Sequence, residues 1–422
     1  MSKKNFSLLL FSFLFLFTLN LQAQNKLIDA LNKHLITLNT LNPDSNYSDL
    51  ELLKPFLVDK VIFGLGEATH GTHEFSLFKH RMLEFLVKEM GVKAFVIEDD
   101  FAKAQILNNY ILNEKDTVSN VVRKGLVFGT WHTQEMVEMC NWLKKYNSTQ
   151  ANDNKVRFFG CDIQWTPAVF TFIRDYLIPQ GKFTPEMSSA LSVTKKSLIG
   201  LVDSDKKILR TAVDQLIHIK LTLGDTALFH HYIYEAQQFC ELVDSSSKPF
   251  SAKEYEWRDQ RMAENIEWVY NYIGKGKMMI WAHNAHVAKS GGSMNVVTMG
   301  QNLSTFFGAK YYAMGFDFFK GSMRSLNVLQ HKYETQQLPE AVKGSIGAAF
   351  SKCKTSNFII DVKSTSDADP TAMDFFNKKV LSVSQGPIYS SKFGMNYVTY
   401  QLEDSFDAII FIKETTAVHN IL

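Results

Sequence analysis

The chain has 422 residues, 45% of them apolar and 21% charged, so it can bury a large core and is neither disordered nor fibrous. Forty-five Lys and Arg balance 43 Asp and Glu, and a net charge of +2 leaves no basic footprint for nucleic acid. Nine prolines and 22 glycines exclude collagen-like and low-complexity classes, while 33 Phe and 15 Tyr predict a wide aromatic core.

At the N-terminus, Lys3 and Lys4 precede an uncharged apolar run at 6–19, followed by Gln22-Ala23-Gln24. A basic start, an apolar stretch and a small residue near a cut read as a secretory signal peptide over residues 1–23. The run falls short of the ~20 residues that a membrane span needs. The expected product is an exported chain, 24–422, periplasmic or extracellular, with no stable membrane insertion. Cys140, Cys161, Cys240 and Cys353 are far apart and form no C-x-x-C. Their spacing selects none of the three pairings, and a core this large needs no staples, so free thiols are expected.

Further along, a short β-branched or aromatic run closed by Gly or an acid keeps recurring, each followed by a helical pattern. Such runs fall at 61–65, 94–97, 156–159 and 278–281, with later ones at 311–316, 358–362 and 408–411. Between the first two, Phe75, Phe78, Met82, Phe85 and Leu86 recur at helical spacing. Alternating strands and helices predict an α/β fold with a mostly parallel central sheet flanked by helices. Residues 167–250 carry no strand signal and contain helical patterns at 206–223 and 226–242, which predicts a helical insertion on one side of the sheet. Ser251 is placed to cap a helix through Tyr272 that ends at Gly274. On that helix Arg258, Met262 and Asn265 share a face.

Polar residues gather where these runs stop. The first run leads into Gly66-Glu67-Ala68-Thr69-His70-Gly71, the second into Glu98-Asp99-Asp100, the third into Gly160-Cys161-Asp162, and the fourth into Ala282-His283-Asn284-Ala285-His286. In an open α/β sheet the ligand site lies beyond the carboxyl ends of the strands, so parallel strands bring these acids and histidines to one edge. Histidine is the usual general base near neutral pH, and a neighbouring carboxylate holds its tautomer. His70 with Glu67, Glu98, His283 and His286 is the expected catalytic set, suited to water attack on an ester or lactone. Adjacent acids on a strand point different ways, so Glu98, Asp99 and Asp100 are not expected to act together.

Several other chemistries lack their motifs. There is no G-x-S-x-G, no H-E-x-x-H and no Walker loop, and the glycine after Gly64-x-Gly66 comes one residue too late for a dinucleotide loop. His70, His73, His283, His286 and Glu67 are zinc-ligand types, so a metal-dependent hydrolase or peptidase is an alternative, although their spacing fits no standard site. A non-catalytic exported protein that binds a hydrophobic ligand such as haem is the alternative from another class.

The run 66–72 with Glu74-Phe75 resembles the signature of the erythromycin esterase family. The resemblance continues through Glu98, Gly160-x-Asp162-x-Gln164, Arg258-Asp259-x-x-Met262-Ala263-x-Asn265, the histidines of 282–286, Met299-Gly300 and Phe406-Asp407-Ala408. It implies hydrolysis of a macrolide lactone or related small-molecule ester by activated water, with no cofactor and no required metal. It implies His70 as base, with Glu67, Glu98, His283 and His286 around it. Lys79, Asp162, Arg258 and Asn265 are expected on the substrate side, with Arg258 as a further candidate for the oxyanion. His73 joins them, at a position where many relatives carry Arg or Lys.

Overall fold

The computed structural model describes residues 24–421 except 165–166, 197–199, 222–223, 246–250 and 328–329, so the expected signal peptide lies outside the described residues. In chain order the strands are β1 (Ile36–Thr37), β2 (Ile62–Leu65), β3 (Val92–Asp100), β4 (Arg157–Asp162), β5 (Lys277–Trp281), β6 (Tyr311–Asn327), β7 (Lys332–Leu338), β8 (Asn357–Asp361), β9 (Val380–Val383), β10 (Tyr397–Tyr400) and β11 (Ala408–Thr415). All but β9 and β10 form one sheet, ordered β1-β8-β11-β6-β2-β5-β3-β4, with β7 paired to the far half of β6. From β4 to β11 every neighbour in that order is parallel. The expected run at 358–362 is the exception, since β8 lies antiparallel on β11.

The central strands are apolar on both faces because helices cover both. Side-chain alternation splits each strand between two cores. Ile62, Val96, Phe159 and Ile280 face one layer. Phe63, Phe95, Phe158 and Met279 face the other. The helix His73–Met90 lies on the second face, with Phe75, Phe78, Met82, Phe85 and Leu86 fully buried, and stops at left-handed Gly91.

The first face carries the predicted helical insertion. Val169–Leu177, Pro185–Val193, Asp203–Ile217 and Thr226–Ser245 are helices, and no strand occurs among the described residues of 167–250. Their Phe170, Ile173, Leu209, Phe229 and Phe239 share a core with β3, β4 and β5. The helix expected at 206–223 instead begins at Asp203 and stops at Ile217. Asp205 accepts from the Val202 amide to fix the start, and Ile219 and Leu221 pack on the same core after the helix has ended. Apolar periodicity therefore outruns the helix. Ser251 caps Ala252–Tyr272 as expected, accepting from the Glu254 amide at 3.2 Å.

At the edge that matters, β3 slips in register against β4 between Ile97 and Asp100. The bulge re-aims three consecutive acids. Gly160 makes room for it, because a Cβ there would sit 2.3 Å from the Asp99 carbonyl oxygen and 2.4 Å from that of Asp100. Gly160→Ala is expected to lower stability by about 1–3 kcal/mol in urea unfolding. Gly386→Ala, with nothing within 4 Å of its Cβ, should stay within about 0.5 kcal/mol of the parent.

Candidate active site

Because β2, β5, β3 and β4 are consecutive and parallel, their carboxyl ends line one edge of the sheet. The chain leaves β2 through Gly66, whose missing Cβ admits Asn284; a Cβ would lie 2.2 Å from Asn284 Oδ1. Asn284 ties its loop to β6, donating to the Phe316 carbonyl (2.7 Å) and accepting from the Phe316 amide (3.0 Å), while its own amide donates to the Glu67 carbonyl (2.9 Å). The loops after β2 and β5 are thereby fixed to each other.

Glu67 is the hub of this corner. Its Oε1 lies 2.5 Å from His70 Nδ1, and its Oε2 accepts from Lys79 Nζ and Trp281 Nε1, each at 2.7 Å. Burial would raise the carboxyl's pKa, but Lys79 and His70 outweigh it and hold it below its ordinary value. An ionised carboxylate only accepts, so Nδ1 of His70 carries a proton, and in the neutral ring the lone pair is left on Nε2. The ring packs edge-on against Trp131, at 5.6 Å between centroids. Lys79 is fully buried 4.4 Å over the Trp281 ring, and burial lowers its pKa to about 8 against the pull of Glu67.

His283 stands 5.0 Å from His70 between ring centroids. It is the N-cap of the short helix Asn284–Val287, and its Nδ1 accepts from the Ala285 amide at 3.2 Å. The proton therefore sits on Nε2, which is buried and has no hydrogen-bond partner. Burial, helped by His70, lowers its pKa to about 3, so it stays neutral. The result is an unspent N–H donor beside His70.

His286, one turn on, has the opposite character. Its Nδ1 lies 2.7 Å from Asp259 and its Nε2 lies 3.2 Å from Glu98. Burial alone would lower its pKa, but these carboxylates overcome it and raise it to about 10. The imidazolium donates to Asp259, pairs with Glu98 and packs face to face on Tyr255. Arg258 Nη1 lies 3.1 Å from the same Nε2. Arg258 also donates to Asp162 from Nε (2.9 Å) and Nη2 (2.7 Å), and to Glu98 from Nη2 (2.9 Å). Two cations are thus held among Asp162, Glu98 and Asp259. Glu98 also accepts from the His283 amide at 2.8 Å, tying this cluster to the first.

The three acids of β3 point three ways, as expected. Glu98 enters the site, Asp99 accepts from the Val127 and Phe128 amides, and Asp100 accepts from the Lys103 amide to cap the next helix. Asp99 thereby shapes the loop leading to Trp131, whose Nε1 donates to the Glu98 carbonyl at 3.2 Å. The centre reaches solvent narrowly: the His70 side chain is 10% exposed and that of Arg258 is 14%.

His70, Glu67, Glu98, His283, His286, Arg258, Asp162 and Lys79 all come together. Their roles divide differently from expectation. Lys79 and Asp162 were expected to touch substrate, but both are fully buried with their polar atoms spent on protein partners. Asn265 is also buried, two turns from Arg258, donating to the Cys161 carbonyl at 2.9 Å. His73 faces Glu135 and His419, away from His70. Among the described residues its ring joins the single cluster of three metal-ligand side chains, which includes none of His70, His283, His286 or Glu67. The four cysteines are unpaired. Sequence reasoning gave no role to Trp281, Trp131 or Asp259. Trp281 was readable as the last residue of its strand, and Asp259 as the acid beside Arg258.

Two outcomes follow for stability. Glu67→Gln strands the Lys79 charge, and should cost about 3–5 kcal/mol in urea unfolding at pH 7, partly recovered in Glu67→Gln/Lys79→Met. His286 binds its proton more tightly in the folded chain, so its contribution is complete below pH 6.5 and is lost as pH rises towards 10. The alkaline fall of the urea midpoint over that window should be shallower in His286→Gln than in the parent.

Comparison with known proteins places the chain in a family. The erythromycin esterase family model matches residues 87–415. The chain is 25% identical over 420 residues to the erythromycin esterase type II of Escherichia coli, covering 89% of this chain and 94% of that one. A Bacillus cereus protein of known structure superposes with a TM-score of 0.83 at 25% identity, covering 94% of this chain and 99% of that one. An erythromycin esterase mutant crystallised in its open conformation shares the fold, with a TM-score of 0.63 at 18% identity over 90% of this chain and 97% of that one. The chain belongs to the erythromycin esterase family and is, by that membership, a hydrolase.

Proposed function

We propose that the protein is an exported carboxylic-ester hydrolase that opens a macrolide lactone or a related ester with water activated by His70. The observation that carries this reading is the pairing of a His70 lone pair, set by Glu67, with the unpartnered N–H of His283 one ring away. In the attack, Nε2 of His70 takes a proton from water and the hydroxide adds to the carbonyl carbon. Charge gathers on the carbonyl oxygen, where His283 Nε2–H donates to it. Collapse breaks the acyl C–O bond, and the departing alkoxide takes the proton back from His70. One water is consumed and one acid and one alcohol are formed.

Of the two histidines after β5, His283 is favoured for the oxyanion because the nitrogens of His286 face Asp259 and Glu98. Arg258 is likewise committed to Asp162 and Glu98. Glu67 and Glu98 act as positioning residues. Export rests on the character of residues 1–23. Support for an ester substrate comes from the family and from the name of the Escherichia coli relative.

The test is mass spectrometry of macrolides and simple lactones incubated with the mature chain, followed by kinetics on any substrate that gains one water. His70→Ala should lower kcat about 100- to 10,000-fold with the fold retained. His283→Ala should lower kcat about 100- to 1000-fold with little change in KM. Undiminished turnover in His70→Ala would remove the mechanism.

A further inference from the structure

Away from the catalytic cluster, three metal-ligand side chains from distant parts of the chain converge. His73 opens the helix His73–Met90, Glu135 lies in the first turn of the helix Gln134–Ser148, and His419 is in the C-terminal segment. Their ligand atoms all lie within 4.8 Å of one another. Glu135 Oε1 is 2.5 Å from His73 Nδ1 and 2.8 Å from His419 Nδ1, and the two rings meet edge to face at 4.7 Å.

The backbone holds the arrangement. Residues 416–420 form a strap between two helix starts, pairing Thr72 with Ala417 and Thr133 with Asn420. Val418 donates to the Gly71 carbonyl (3.1 Å), and Gln134 donates to the His419 carbonyl (2.9 Å). His419 is thus pinned on both sides by main-chain bonds. Glu135 is buried, His73 is 24% exposed and His419 66%, so the cluster is anchored inside and open to solvent outside.

We propose that His73, Glu135 and His419 form a binding site for a divalent transition ion of the zinc class, which fastens the C-terminal strap to the two helix starts. Two imidazoles and one carboxylate suit zinc rather than calcium or magnesium, which take all-oxygen shells. Solvent at the open side completes a four-coordinate shell. Ligand atoms of a tetrahedral zinc site with bonds of ~2.0–2.1 Å stand about 3.3 Å apart. The Glu135 oxygen stands 2.5 and 2.8 Å from the two Nδ1 atoms, so an outward movement of each imidazole by less than an ångström gives that spacing from the carboxylate. The site is separate from the base, whose own Nδ1 is committed to Glu67.

The experiment titrates Zn2+ alone into untagged, chelator-dialysed full chain by calorimetry, with thermal unfolding measured alongside. One Zn2+ per chain and a raised Tm are expected. His419→Ala, at an exposed position, should fold normally, weaken zinc binding at least tenfold and abolish the Tm rise. His70→Ala should bind zinc like the parent, and Co2+ in place of zinc should give the visible d–d bands of a tetrahedral site. No zinc binding in the parent, equal binding in His419→Ala, or its loss in His70→Ala would each overturn the proposal.

Discussion

A buried carboxylate holds this site together. Glu67 is placed by the end of β2 where water is nearly excluded, and an ionised acid there is stable only if every lone pair is used. A lysine, an indole and the His70 imidazole use them. Each partner comes from a different element: the loop after β2, the helix that follows it, and the end of β5. The charge needed to set the His70 tautomer therefore also fastens the loop, the helix and the strand together.

Around that carboxylate, three histidines stand in three different surroundings built from ordinary parts. His70 faces one acid. His283 is turned towards a backbone amide and away from acids, and burial keeps it neutral. His286 lies between two acids and is kept charged. His283 and His286 are only three residues apart, so local sequence could not tell them apart. The distinction comes from Asp259 on one helix and Glu98 on another strand.

Much of the architecture was legible in the residues. The seven apolar runs all became strands of the sheet, and the stop signals after four of them marked the edge where the polar residues meet. Lys79 could have been read more closely. It lies four residues after Phe75 and four before Leu83, inside the apolar stripe, which places it within the core rather than on a cleft wall. Asn265 shares a face with Arg258, yet the rise of a helix carries it about 10 Å along the axis, past the strand end. The cluster of His73, Glu135 and His419 had no signal at all, since its members are spread over almost the whole chain and meet only through the strap.

The order of the sheet has a consequence for the timing of synthesis. β2, which leads into Glu67 and His70, lies between β5 and β6, both made more than two hundred residues later, and the strap that pairs with Thr72 comes from residues 416–420. A nascent chain therefore cannot bring Glu67 and His70 together with Trp281 and His283 until β5 and the loop after it have been made. Assembly of the site waits on the closing of the sheet's longest loops, a slow entropic step, and not on the folding of the N-terminal part alone.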